Sequence, residues 1–298
     1  SLNLHTGEEF MALTPPTYLY LVTPLVPTGG TIFLYGKFGI GKSPFTWTLA
    51  NAVATGQSFL GMPTSKANVA YVDVDTPWHM VQQRWKEVNF KPQFVIVEGQ
   101  AFDCLRFGSN LESYKQPYEA LTQCRRQFDP KLVIINTLMK VHDTTGKNPN
   151  LPKEVYTKWQ QLFPDAAILF IHHDKKDVWT GDEGISEQQE DESFSGYQEW
   201  INHCNVAIHL VKQPHNENSF LLKQTKDQGS GKIKPMPIHL RDGFFLDTVA
   251  QTNTNKQQIM NLIKANPNEP RDILAKRVAS SFGLPILTAR KMVDEQCH

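Results

Sequence analysis

With 298 residues, 40% of them hydrophobic, the chain is long enough for one large domain or two ordinary ones around a sizeable core, which excludes disorder as its default state. Thirty Lys plus Arg balance thirty Asp plus Glu, so no global positive field holds nucleic acid, and any such contact must come from local patches or from multimerisation. Cys104, Cys124, Cys204 and Cys297 form no C-x-x-C pair, and no apolar run approaches the roughly 20 residues that cross a bilayer, so the expectation is a cytoplasmic protein with reduced thiols and no membrane partner.

The chain opens at Ser1 without methionine, which leaves the natural N-terminus undefined, and no basic stretch followed by an apolar one marks a secretion signal. Thr31 to Tyr35 form a β-rich run that stops at glycine, and Lys42 to about Ala54 read as a helix. Further apolar, β-branched runs lie at Val69–Val74, Phe94–Val97, Leu132–Ile135 and Ala167–Ile171, separated by helix-length segments at 77–88, 116–127 and 153–163. Alternating strands and helices predict an α/β fold with a parallel sheet covered on both faces.

After about residue 204 the pattern changes to closely spaced strands, Val206–Val211, Phe220–Gln224, Pro237–Leu240 and Phe244–Leu246, read as an antiparallel edge of the same sheet. A polar, mainly acidic stretch from Asp174 to Ser195 has the length of a functional loop. Residues 248–255 read as a linker, and 256–298 as a small helical domain. Its helices are marked by Ile259, Leu262 and Ile263, by Ile273, Leu274, Val278 and Ala279, and, after a Gly turn, by Ile286, Ala289 and Val293. The organisation is thus a lead-in over 1–30, a main domain over 31–247, the linker, and a helix-turn-helix-like segment.

Gly36-Lys37-Phe38-Gly39-Ile40-Gly41-Lys42-Ser43 satisfies G-x-x-x-x-G-K-[ST] and sits after a strand and at a helix start, where the motif has its mechanism. The glycines let backbone N–H groups curl around phosphates, Lys42 neutralises the β and γ oxygens, and the helix N-terminus adds about half a positive charge. The cofactors predicted are therefore ATP and magnesium (Mg2+), with Ser43 supplying an oxygen to the metal and Pro44 accommodated in a first helical turn that lacks intrahelical partners. A carboxylate normally ends the apolar strand that holds the metal through waters, but Leu132–Ile135 end in Asn136, an acceptor without charge. The Val69–Val74 strand ends in acids. Asp75 is the expected water-polarising residue, with an N-cap for the next helix as its alternative role. Asp73, two residues earlier and on the same strand face, is the candidate to take over the missing metal contact. His173, closing Phe170-Ile171-His172-His173, is the candidate γ-phosphate sensor.

Taken together, Gly36–Ser43, Tyr71–Pro77, Leu132-Val133-Ile134-Ile135-Asn136-Thr137-Leu138 and Phe170–His173 resemble the RepA-type branch of RecA/DnaB-like ATPases, which includes plasmid and phage replicative helicases. The resemblance covers most of residues 14–247. It implies a RecA-like core, a ring that is usually hexameric, ATP between subunits, and a basic residue reaching across from the neighbour, for which Lys226 or Lys223 matches the position. It also implies that loops at 142–152 and 174–195 face a channel holding single-stranded DNA, in replication or a related transaction of a mobile element with its partner proteins. The acids of the second loop would repel phosphates, and together with Asn136 they favour the alternative of a nucleotide-switched scaffold with little hydrolysis. In the last segment Lys256, Lys264, Arg271, Lys276, Arg277, Arg290 and Lys291, with Thr288, suggest DNA binding, with protein docking as the other use of such a fold.

Overall fold

The computed structural model describes residues 5–14, 19–87, 94–97, 115–141, 150–173, 198–213, 218–228, 231–247, 259–266, 269–282, 290 and 293–294. Two compact units divide the chain, Ser1–Phe245 and Leu246–His298. In the first, α1 (Gly7–Ala12) is an exposed helix opened by a reciprocal Thr6/Glu9 capping box. The short strands β1 (Tyr20–Val22) and β2 (Val26–Pro27) then pair antiparallel and deliver Leu21, Val22, Leu25 and Val26 to the core.

The central sheet follows from runs of β-branched and aromatic residues that become β3 (Thr31–Gly36), β4 (Val69–Asp73), β5 (Phe94–Val97), β6 (Leu132–Asn136), β7 (Ala167–His173), β8 (Val206–Lys212), β9 (Ser219–Asp227), β10 (Met236–Arg241) and β11 (Phe244–Asp247). Among the described residues these nine strands form one sheet in the order β11-β10-β9-β8-β3-β7-β6-β4-β5. Strands β8, β3, β7, β6, β4 and β5 are parallel, while β9 runs antiparallel to β8 and to β10. This corrects one expectation: the Val206–Val211 run belongs to the parallel body of the sheet, and the antiparallel edge starts one strand later. The reason is the connection. A helix, α6 (Gln198–His203), precedes β8 and allows a crossover, whereas the connections from β8 onward are too short for anything but reversals.

Strand alternation splits the core in two. Ile32, Leu34, Tyr71, Ile134, Leu169 and Ile171 meet Phe45, Leu49 and Val53 of α2 (Lys42–Thr55) on one face. Phe33, Val72, Val133, Ile135 and Phe170 meet Leu121 of α4 (Lys115–Phe128) and Val155, Tyr156 and Trp159 of α5 (Leu151–Leu162) on the other. Helix α3 (Trp78–Glu87) joins the first face through Val81 and Trp85. Because α2 buries residues on most of its circumference, it is a core element rather than a surface helix, and Gly56 in the left-handed conformation ends it by donating its N–H to the Ala52 carbonyl. Cys124 and Cys204 are buried free thiols, and burial pushes Cys204 up to about 12, so both behave as packing residues; Cys104 and Cys297 lie outside the described residues. No described helix is long and apolar enough to cross a membrane.

In the second unit a helix at 259–265 and a helix at Arg271–Phe282 bury Ile259, Ile263, Leu274, Ala275, Val278 and Val293 together. Ile273, expected on the apolar stripe, is 52% exposed, because the buried stripe runs through 274, 275 and 278. Three of its arginines are engaged within the unit: Arg277 with Glu269 at 2.9 Å, Arg271 with Asp294 at 3.8 Å, and Arg290 with Asp272. Lys256, Ile286, Thr288, Ala289 and Lys291 lie outside the described residues, as do 142–149 and 174–197 of the two candidate DNA loops.

Candidate functional site: the carboxyl edge of the sheet

Strand β3 delivers Gly36 to the carboxyl end of the parallel sheet, the edge where open α/β folds bind ligands. Close approach requires glycine there: a Cβ on Gly36 would stand 2.6 Å from the Leu210 carbonyl oxygen of β8. Gly41, the residue before α2, has φ 92°, a left-handed value that turns the chain from loop to helix. Lys37, Phe38 and Gly39 are exposed while Ile40 tucks into the core and pins the loop at an apolar point. Lys42 is 4% exposed, and its Nζ donates to the carbonyls of Gly36 at 2.6 Å and Lys37 at 2.8 Å. Its ammonium is thus held inside the curl of the loop. Ser43 and Pro44 occupy the first turn of α2, whose N–H groups have no intrahelical acceptors.

The acids lie on the same carboxyl edge, at the end of β4, which β7 and β6 separate from β3. Thr46 of α2 hydrogen-bonds Tyr71 of β4 at 3.1 Å, and Thr46 also donates to the Ser43 carbonyl at 2.9 Å. Ser43 lies three residues before Thr46 on α2, and Asp73 two residues after Tyr71 on β4, so this hydrogen bond ties the first turn of the helix to the end of the acid-bearing strand. Asp73 is 4% exposed and Asn136, its register partner on β6, is 5% exposed. Asn136 Nδ2 donates to Asp73 Oδ2 at 2.9 Å, while Asp73 Oδ1 accepts the backbone N–H groups of Asp75 at 3.1 Å and Thr76 at 2.9 Å. Burial raises the Asp73 carboxyl above its ordinary range, and these hydrogen bonds act in the opposite direction.

Strand alternation was expected to put Asp73 and Asp75 on one face. The strand ends at Asp73, however, and a turn capped by Asp73 carries Asp75 out to solvent ahead of α3. The capping acceptor of that turn is therefore Asp73, not Asp75, because the buried carboxylate lies under the turn's N–H groups.

On the opposite face of the same edge, Tyr35 is flanked by His172 of β7 and His209 of β8. Tyr35 and His209 stack with ring centroids 4.5 Å apart and planes within 4°, and Tyr35 donates its hydroxyl to Thr225 at 3.1 Å. Burial, with the nearby cations of Lys223 and Lys42 adding to it, pushes His209 down to about 4, so this imidazole is neutral at pH 7. His209 was not foreseen. Its one visible signal is a titratable residue inside the otherwise apolar run Val206-Ala207-Ile208-His209-Leu210-Val211. His173 pairs with Gly36 across the β3–β7 ladder, which brings its backbone to the root of the loop; its side chain lies outside the described residues. Lys226 caps α6, donating to the carbonyls of Ile201 at 2.8 Å and Asn202 at 2.7 Å, and Lys223 pairs with His209 across β8 and β9.

Among the described residues no three His, Cys, Asp or Glu side chains converge as a cage for a metal. The groups that could hold a cation shared with phosphates are the Ser43 hydroxyl, at the start of the helix that follows the Lys42 loop, and the Asp73 carboxylate, which the Asn136 amide fixes.

Comparison with known proteins agrees with this geometry. A family model, AAA_25, described as an AAA domain, matches residues 3–178. No curated protein matches the chain. Among solved structures, the KaiC-like protein PH0186 from Pyrococcus horikoshii OT3 superposes with a TM-score of 0.50 at 12% identity, over 76% of this chain and 93% of that one. The RadB recombinase (0.45, 13%, 75% and 92%) and the flagellar accessory protein FlaH from Methanocaldococcus jannaschii (0.46, 12%, 72% and 87%) are also similar. The first of these establishes the RecA-like fold of the α/β core.

Proposed function

The chain belongs to the AAA_25 family of AAA domains, and from that premise we propose that it binds and hydrolyses ATP with magnesium as a RecA-fold oligomer acting in DNA replication or a related DNA transaction. The observation that carries this reading is Lys42, buried inside a glycine loop between a strand and a helix start, its Nζ on the loop's own carbonyls. A triphosphate offers that ammonium stronger, charged acceptors. Ser43 and Asp73, the latter held in place by Asn136, would hold a hydrated cation, which would supply positive charge to the phosphates. Asp75, exposed at the turn, polarises the attacking water; His173, paired in register with Gly36, reports the γ-phosphate to the residues that follow β7.

Ring assembly, with a hexamer as the expected size, places this edge against a neighbour. Phe38, Trp78, Met80 and Met139 follow the carboxyl ends of β3, β4 and β6 and are 77%, 55%, 41% and 42% exposed, an apolar rim suited to such a contact. The neighbour's Lys226 would have to leave the Ile201 and Asn202 carbonyls to reach the γ-phosphate, so closing the finger is coupled to uncapping α6. Single-stranded DNA remains the proposed partner of the main domain. In the second unit the pairing of Arg271, Arg277 and Arg290 with acids leaves less charge for phosphates and supports docking of a protein.

One observation favours a second reading: the neutral Asn136 at the end of β6 suits a nucleotide-switched scaffold. Calorimetry with ATP and magnesium tests the common part, and Lys42→Ala should weaken binding by about 100-fold. Turnover measured with and without a single-stranded oligonucleotide separates the two readings. Stimulation by DNA supports the motor; ATP-driven assembly without turnover supports the scaffold.

A further inference from the structure

The strand position that ends β6 holds an amide, and the acid nearest to it belongs to the adjacent strand. Asn136 and Asp73 are both almost completely buried and are joined by a 2.9 Å hydrogen bond, with the amide as donor. A carboxylate has about four lone-pair positions. Three of those on Asp73 are used by the N–H groups of Asp75, Thr76 and Asn136, which leaves one on Oδ2. With its Nδ2 committed to Asp73, Asn136 turns its Oδ1 away from that carboxylate.

An aspartate at position 136 would face Asp73 at hydrogen-bond distance in a buried site, and two such carboxylates cannot both stay ionised. Asparagine is therefore the matching partner for an acid that has changed strands. We propose that Asp73 and Asn136 form a transposed pair: Asp73, with one lone-pair position left, carries the negative charge that would serve a magnesium ion shared with the phosphates, and Asn136 is the positioning residue that holds it. The Thr46–Tyr71 hydrogen bond ties the strand that carries this charge to the first turn of α2, where Ser43 stands. The same carboxylate fixes the turn that presents Asp75, so one residue organises both the cation and the water. This inference rests on the ATP reading above.

The test is the affinity of a fluorescent ATP analogue with magnesium and in its absence, for the wild type, Asp73→Asn, Asn136→Asp and the double exchange, with melting curves for each. Wild-type protein should gain about tenfold in affinity from magnesium, and Asp73→Asn should lose most of that gain. Asn136→Asp should melt lower and bind magnesium–nucleotide no better than wild type. The double exchange, which returns one acid and one amide to the pair on opposite strands, should recover both the melting temperature and the magnesium gain to within about threefold. Full gain in Asp73→Asn, or an Asn136→Asp variant better than wild type with no recovery in the double exchange, would overturn the pairing. If Asp73→Asn does not fold, the comparison of Asn136→Asp with the double exchange decides alone. The magnesium-free affinity of the wild type, set by Lys42 and the loop, is separate: its absence would sink the ATP reading itself.

Discussion

Gly36–Ser43 and the Asp73–Asn136 pair both lie at the carboxyl end of the sheet and, in the proposed reading, serve one ligand, but they are built differently. The phosphate loop is contiguous: eight residues supply the turn, the amides, the ammonium and the hydroxyl, and the loop needs from elsewhere only a strand beneath and room above Gly36. The acid edge is assembled. Its carboxylate comes from β4, its amide from β6, and their meeting depends on the register Asp73↔Asn136 across two strands about 60 residues apart in the chain. A contiguous site tolerates changes around it, whereas an assembled one fails when either strand shifts.

This contrast can be broken by single substitutions. The largest effect is expected for Asp75→Asn, which should lower turnover by about 100-fold while leaving ATP affinity within about twofold; steady-state hydrolysis beside calorimetry measures it, and equal losses in both would mean the two regions are not separable. Next comes Gly36→Ala. Its added Cβ stands 2.6 Å from the Leu210 carbonyl, and a backbone oxygen cannot swing away, so a destabilisation of about 1–3 kcal/mol is expected in denaturant melts. Lys226→Met keeps the aliphatic stem but removes two hydrogen bonds to the end of α6; about 1 kcal/mol should be lost, read as faster amide exchange over Gln198–His203.

The smallest effect sharpens the electrostatic side. His209 titrates near 4 in the fold, below the ordinary value of 6.5, so the unfolded chain binds the extra proton between those values. Its contribution to stability is complete above pH 6.5 and is lost as pH falls toward 4. His209→Phe keeps the stack on Tyr35 and removes the proton site, so its melting temperature should fall less steeply from pH 6.5 to 4.5, by about 2–4 °C relative to wild type.

Much of this was legible in the residues. The strand runs at Val69, Phe94, Leu132 and Ala167 became β4, β5, β6 and β7, because β-branched, apolar stretches between helix-length segments leave few other arrangements. Near residue 204 that reasoning reached its limit: strand propensity does not encode direction, and β8 proved parallel to β3. Asp73 and Asp75 illustrate the same limit within five residues. Their spacing suggested a shared face, but alternation holds only while the strand lasts, and the strand ends at Asp73.

By itself, then, the sequence determined the α/β body, the phosphate loop and the lysine at its centre, since each depends on neighbours in the chain and on local backbone chemistry. Tertiary structure decided the rest: that Asn136 donates to Asp73, that His209 is held neutral against Tyr35, and that Lys226 caps α6. Those contacts join residues 24 to 174 positions apart, across strands or from strand to helix end, and only strand order, register and burial bring such groups within hydrogen-bond or stacking distance.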